Sequence, residues 1–101
     1  MPEDRRILVT VTIPGATIEA VERVARERPE LGAKLRETSK RHGSLSHRRL
    51  FRDGEILDID EWPSEQALDA FLAEAEPIIQ ELQALRGSGA PVHTVWHDLA
   101  H

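Results

Sequence analysis

Asp53-Gly54 lies between two stretches of strand-forming residues, Ser44–Phe51 and Ile56–Trp62. Asp-Gly suits the positive φ angles of a type I′ turn, so the segment predicts a two-residue β-hairpin. Such a turn sets the pairing register, and register decides which side chains share a face. With Arg52 opposite Glu55, Leu50 faces Leu57, Arg49 faces Asp58, Arg48 faces Ile59 and His47 faces Asp60. Paired residues point to the same side of a sheet. One side therefore collects Leu50, Leu57 and Ile59, which suits a helix-covered core. The other collects Leu45, His47, Arg49, Phe51, Ile56, Asp58, Asp60 and Trp62, and is expected to be the bare side.

The remaining segments supply the partners of this hairpin. Residues 7–13 are rich in β-branched side chains and alternate, with Ile7, Val9, Val11 and Ile13 on one face of a strand. After Pro14-Gly15 a helix is predicted from about Thr17, with Ile18, Val21, Val24 and Ala25 as its apolar stripe. Pro29 suits the first turn of a second helix running to Arg41, with Leu31, Leu35 and Thr38 inward and Gly43 as its stop. Ser64 is a good N-cap for a helix carrying Leu68, Phe71 and Leu72. Pro77 then kinks that helix or begins another, which carries Ile78, Ile79, Leu82 and Leu85 and stops at Gly87. Pro91 opens a last strand over 92–99. The order β, α(α), β, β, α(α), β predicts a ferredoxin-like α+β fold, a four-stranded antiparallel sheet with helices on one face. The face left bare needs a partner.

The chain has 101 residues, which suits one domain over 1–101. Thirteen Lys and Arg against eighteen Asp and Glu give a formal charge of −5, the opposite of the basic footprint expected of a nucleic-acid binder. With no cysteine there is neither a disulfide framework nor a thiolate site. The start, Met1-Pro2-Glu3-Asp4-Arg5-Arg6, mixes both signs of charge and precedes only a short apolar stretch, unlike a signal peptide. No run is long enough to span a membrane, so the cytoplasm is the expected location.

The face bearing Arg49–Asp58 and His47–Asp60 admits two readings. These are ordinary cross-strand pairs at a wet surface, or a second subunit closes over them to make a cavity in which Asp60 orients His47 and raises its basicity. If Trp96 and Val92 pack beneath the helices, His93, Val95 and His97 join His47 on the bare face. His93 and His97 have helical ligand spacing, but on a strand four residues span about 13 Å, too far for one metal. No metal site is expected, and no glycine-rich phosphate loop is present.

The stretch Gly43-Ser44-Leu45-Ser46-His47, then the hairpin, then Asp60-Glu61-Trp62-Pro63-Ser64-Glu65-Gln66-Ala67-Leu68-Asp69-Ala70-Phe71-Leu72 resembles the antibiotic biosynthesis monooxygenase-like domains of the dimeric α/β-barrel superfamily. The resemblance implies a homodimer formed through the open sheet faces, each subunit holding a cavity for a small aromatic or apolar molecule. Some members oxidise anthrone-like polyketide phenols with molecular oxygen and no cofactor. On this resemblance the chain is a cofactor-independent monooxygenase of an aromatic or polyketide-like metabolite. His47 and Asp60 form its base, Trp62 and Phe51 its apolar wall and Arg49 its oxyanion anchor, with Asp58 and His93 also touching substrate. The chain departs from the pattern in having neither Asn nor Tyr, so the usual polar anchors are absent. The alternatives are a non-catalytic dimeric ligand-binding or stress-related module, and a cyclase or isomerase working by proton transfer alone.

Overall fold

The computed structural model describes residues 6–99; Met1 to Arg5, part of the mixed-charge start read as unlike a signal peptide, lie outside them. The elements follow in the order β1 (Ile7–Thr12), α1 (Ile18–Glu27), α2 (Pro29–Arg41), β2 (Ser46–Arg52), β3 (Glu55–Trp62), α3 (Glu65–Arg86) and β4 (Val92–His97). The four strands form one antiparallel sheet in the order β2-β3-β1-β4, the ferredoxin-like arrangement.

Local chemistry accounts for the element ends. Thr17 Oγ1 accepts from the Ala20 N–H at 3.1 Å and Ser64 Oγ from the Ala67 N–H at 3.1 Å, so both helices start on side-chain caps. Pro29 occupies the first turn of α2, where its missing N–H costs nothing. Pro77 neither ends nor restarts α3, which is one helix of 22 residues. Pro77 and Ala73, the residue whose carbonyl loses its helical donor, both lie on the exposed side, where water can replace that bond. The hairpin pairs Arg52 with Glu55 as expected. Its turn is not type I′, however, because Gly54 alone has a positive φ, at 73°.

The face assignment drawn from the hairpin is reversed. On β1 the residues Ile7, Val9 and Val11 are buried, with Val9 fully so, and they face the helices, as does buried Ile13 just beyond the strand. Antiparallel pairing sets Ile7 beside Trp62, Val9 beside Asp60 and Val11 beside Asp58. That places Ile56, Asp58, Asp60 and Trp62 of β3 on the helix side, and the β2 register places His47 and Arg49 with them. Leu50, Leu57 and Ile59 go to the open face. Asp58 and Asp60 are tolerated beneath the helix layer because each is paired with a cationic or basic partner on the more exposed edge strand β2.

The same logic corrects β4. Val95 pairs with Val9 and His93 with Val11, on the helix side, whereas Trp96 pairs with Leu8 on the open face. Trp96 is 54% exposed and donates its indole N–H to Thr10 Oγ1 at 3.0 Å. Neither Trp96 nor Val92 packs beneath the helices. His93 does share a face with His47, but it is the helix side of the sheet.

Candidate active site

The helix layer does not lie flat on the sheet. α3 packs along the sheet through Leu68, Phe71 and Ala75, which meet Ile7, Val9, Val11 and Trp62. α1 and α2 lean instead on the far half of α3, through Val24, Leu31, Ile78 and Leu82, and hardly touch the strands. A cleft of about 830 Å³ opens between them and the helix-side face of the sheet. This is within the size range of small-molecule sites. It is built from a single subunit, so no second chain is needed to create it.

The hairpin delivers the cleft's polar wall. His47 Nδ1 lies 2.5 Å from Asp60 Oδ1 across β2 and β3. That carboxylate accepts the Nδ1 proton, which leaves the Nε2 lone pair as the basic site of the neutral ring. The hydrogen bond that His47 donates to Asp60 holds the imidazole pKa above its ordinary value. Next along, Arg49 grips Asp58 bidentately, Nε to Oδ1 at 2.7 Å and Nη2 to Oδ2 at 2.8 Å. Asp58 is only 6% exposed, and this fork is what compensates its burial. His93 completes the wall, with burial pushing its pKa down.

The apolar wall centres on Trp62, 2% exposed, whose ring meets Phe71 at 5.0 Å between centroids and 35° between planes. Tilted contacts of this kind favour a rigid aromatic platform. Of the residues singled out from sequence, His47, Asp60, Trp62, Arg49, Asp58 and His93 all line the cleft. Phe51 does not. It shares their face but sits at the hairpin end of the edge strand, beyond the reach of the helices, and is 70% exposed.

Three further features are absent from the sequence reading. Trp62 Nε1, Arg86 Nε and Ser88 Oγ are buried, have no hydrogen-bond partner, and belong to residues that line the cleft. Each such group costs about 1–3 kcal/mol unless something fills it. Arg86 carried a sequence signal after all. It stands four residues beyond Leu82, which is itself four beyond Ile78, so it continues the buried stripe of α3. As a lone cation in a helix's last turn it otherwise reads as a surface residue.

Solved structures share this architecture, among them the following three. The cofactor-independent oxygenase SnoaB of Streptomyces nogalater superposes with a TM-score of 0.65 at 19% identity, covering 97% of this chain and 96% of its own. A Streptomyces coelicolor monooxygenase from the gene ActVA-Orf6, solved with the ligand nanaomycin D, gives 0.68 at 17% identity, with 97% and 91% covered. A putative antibiotic biosynthesis monooxygenase of Deinococcus radiodurans gives 0.66 at 19%, with 94% of both chains covered. The chain shares the fold of these three proteins. At these identities the likeness is one of fold, and no family model or curated protein matches the sequence. Within this fold, the sheet–helix cleft is lined by the His47–Asp60 and Arg49–Asp58 pairs and by the three residues with buried, unpartnered polar atoms. Among the described residues no cluster of three or more His, Asp or Glu is placed to hold a metal ion. No helix among them is long and apolar enough to cross a membrane.

Proposed function

We propose that the chain is a small cofactor-independent monooxygenase acting on an aromatic or polyketide-like metabolite held in the sheet–helix cleft. The observation that supports this reading is the His47–Asp60 hydrogen bond in the same cleft as the buried indole of Trp62. An anthrone-like substrate has an acidic carbon flanked by arenes. His47 Nε2 takes a proton from that carbon, and Asp60 stabilises the imidazolium that results. The delocalised anion transfers an electron to oxygen and recombines with it, and His47 returns the proton to give a hydroperoxide. Loss of water leaves a new carbonyl, so one oxygen atom ends in product and the other in water.

Arg49 is a poorer oxyanion anchor than the sequence suggests, because its Nε and Nη2 are engaged by Asp58. The indole N–H of Trp62, buried and unpartnered, is the better donor for the substrate oxygen. We further propose that two subunits associate through their open sheet faces, where Leu8, Leu50, Leu57, Ile59 and Trp96 would otherwise meet water.

Oxygen uptake with anthrone as substrate tests the catalytic reading. Wild-type protein should consume oxygen and His47→Ala should lose turnover by about 10²–10⁴-fold, the usual contribution of a positioned base. The absence of Asn and Tyr favours a second reading, a cleft that binds a ligand without converting it. Anthrone binding with no oxygen uptake, or uptake unchanged in His47→Ala, would favour that reading.

A further inference from the structure

The cleft holds a second imidazole, that of His93, for which the steps assigned to His47 have no use. His93 stands on β4 and His47 on β2, the two edges of the sheet, with β3 and β1 between them. Three strand spacings of about 4.8 Å set their backbones roughly 14 Å apart, enough for a planar ligand to lie between. The pairings put His93 in one row with Val11 and Asp58, two residues along β3 from Asp60. Asp58 and Asp60 are both near enough for their charge to act on the His93 ring, so the carboxylate that holds His47 lies within range of both histidines.

Among the described residues that line the cleft, exclusion leaves His93 as the unengaged base. Asp58 is bound by Arg49 and Asp60 by His47. The arginines and Lys40 are cations and accept no proton. The His93 ring makes no ion pair or side-chain hydrogen bond among the described residues, and burial favours its neutral form against the pull of the two carboxylates. Neutral imidazole is the form that accepts a proton.

The proposed oxidation calls for such a base after oxygen has added. Once His47 has given its proton to the peroxide, its Nε2 faces the new O–H. The carbon still carries one hydrogen, which must leave before a carbonyl can form. We infer that His93 is the base of this second step and takes that hydrogen as a proton. The electron pair of the C–H bond forms the carbonyl, the O–O bond breaks, and the departing hydroxide takes the proton from His93 to leave as water. The carbon is oxidised and the peroxide oxygen reduced, so no other reagent is consumed and His93 ends neutral. The inference rests on the oxygenase reading above and assigns its last step to a separate residue.

Anthrone oxidation by the intact protein, quenched over the first turnovers, tests it through the anthraquinone formed per oxygen consumed. Losses of binding or of folded protein lower both quantities together and leave that ratio unchanged. Wild type should give one quinone per oxygen, with no hydroperoxide building up. In His93→Gln the loss of water should slow by about 10²-fold or more, the usual worth of a positioned base, and the early ratio should fall about tenfold or more. The hydroperoxide, read by mass spectrometry, should make up the difference. His93→Asn carries the same test should the glutamine variant fail to fold. A ratio that stays at one in the variant, or hydroperoxide that accumulates in wild type, would overturn the role of His93 and leave the oxygenase reading standing. No oxygen uptake by wild type would bring down both.

Discussion

His47 and Asp60 meet at 2.5 Å across two strands because a two-residue turn, beginning six positions after His47, sets the hairpin register. The pairing makes the imidazole more basic than an isolated one, whose reference pKa is 6.5. Only neutral His47 can accept a proton, so turnover should rise with pH through that raised value. In Asp60→Asn the rise should shift to lower pH, because the neutral amide no longer favours the imidazolium. Titration of the His47 ring protons by NMR, run beside the rate profile, checks this. Coincident midpoints in the two proteins would remove Asp60 from the role of tuning His47.

The same contact contributes to stability with a definite sign. A histidine whose folded pKa is raised stabilises the fold fully below its unfolded pKa, and that contribution is lost as pH rises through the folded value. The thermal penalty of Asp60→Asn should therefore be larger at pH 5.5–6 than at pH 8.5–9, values chosen on either side of the ordinary imidazole range of about 6.5. A penalty that grows towards alkaline pH would contradict the pairing.

Asp58 makes a different demand. It is almost wholly buried and Arg49 supplies both of its strong hydrogen bonds, while Arg86 lies near enough to feel its charge. Asp58→Ala should destabilise the protein by roughly 2–3 kcal/mol, less than the fullest burial would give because Arg49 keeps a third of its side chain in water. Part of this should return in the double variant Asp58→Leu with Arg49→Leu, which replaces the pair by apolar volume. Urea denaturation of the single and double variants measures both effects.

Much of this arrangement was legible in the sequence, and the part that was not has a physical cause. The pairing of His47 with Asp60 and Arg49 with Asp58 follows from the Asp53-Gly54 turn, which is local information. The side to which those pairs point is not local. Within the hairpin alone, Leu50, Leu57 and Ile59 compete with Phe51, Ile56 and Trp62, and neither set outweighs the other. The decision belongs to β1, where Ile7, Val9 and Val11 face Leu8, Thr10 and Thr12 across one strand, and it reaches the hairpin only through β1–β3 pairing. Phe51 shows a further limit. Register puts it on the covered face, but whether a helix extends over that corner depends on how α1 and α2 lean on α3.

Arg86 offers a test in the opposite direction from most core substitutions. It continues the apolar stripe of α3 yet carries a charge with no counter-ion among the described residues. Arg86→Met keeps the length of the side chain, extends the stripe and removes the buried charge. In the absence of ligand its unfolding midpoint should equal or exceed that of wild type, since replacing an uncompensated buried ion by apolar volume is neutral or stabilising. A loss of more than about 1 kcal/mol would mean that Arg86 has a structural partner within the chain.

The open sheet face carries the last prediction. Ile59 sits near its centre, paired with Arg48 on one side and Thr10 on the other, and no helix covers it. If two subunits close through this face, Ile59→Lys adds a cation beside Arg48 in each subunit and buries like charges at the interface, which should convert dimer to monomer. The same substitution should leave the helix-side cleft and the far-UV circular dichroism unchanged, because Ile59 and the cleft residues lie on opposite faces of the sheet. Light scattering after size exclusion reads the mass directly. A wild-type protein that elutes as a monomer over the accessible concentration range, or an Ile59→Lys variant that stays dimeric, would place the interface elsewhere.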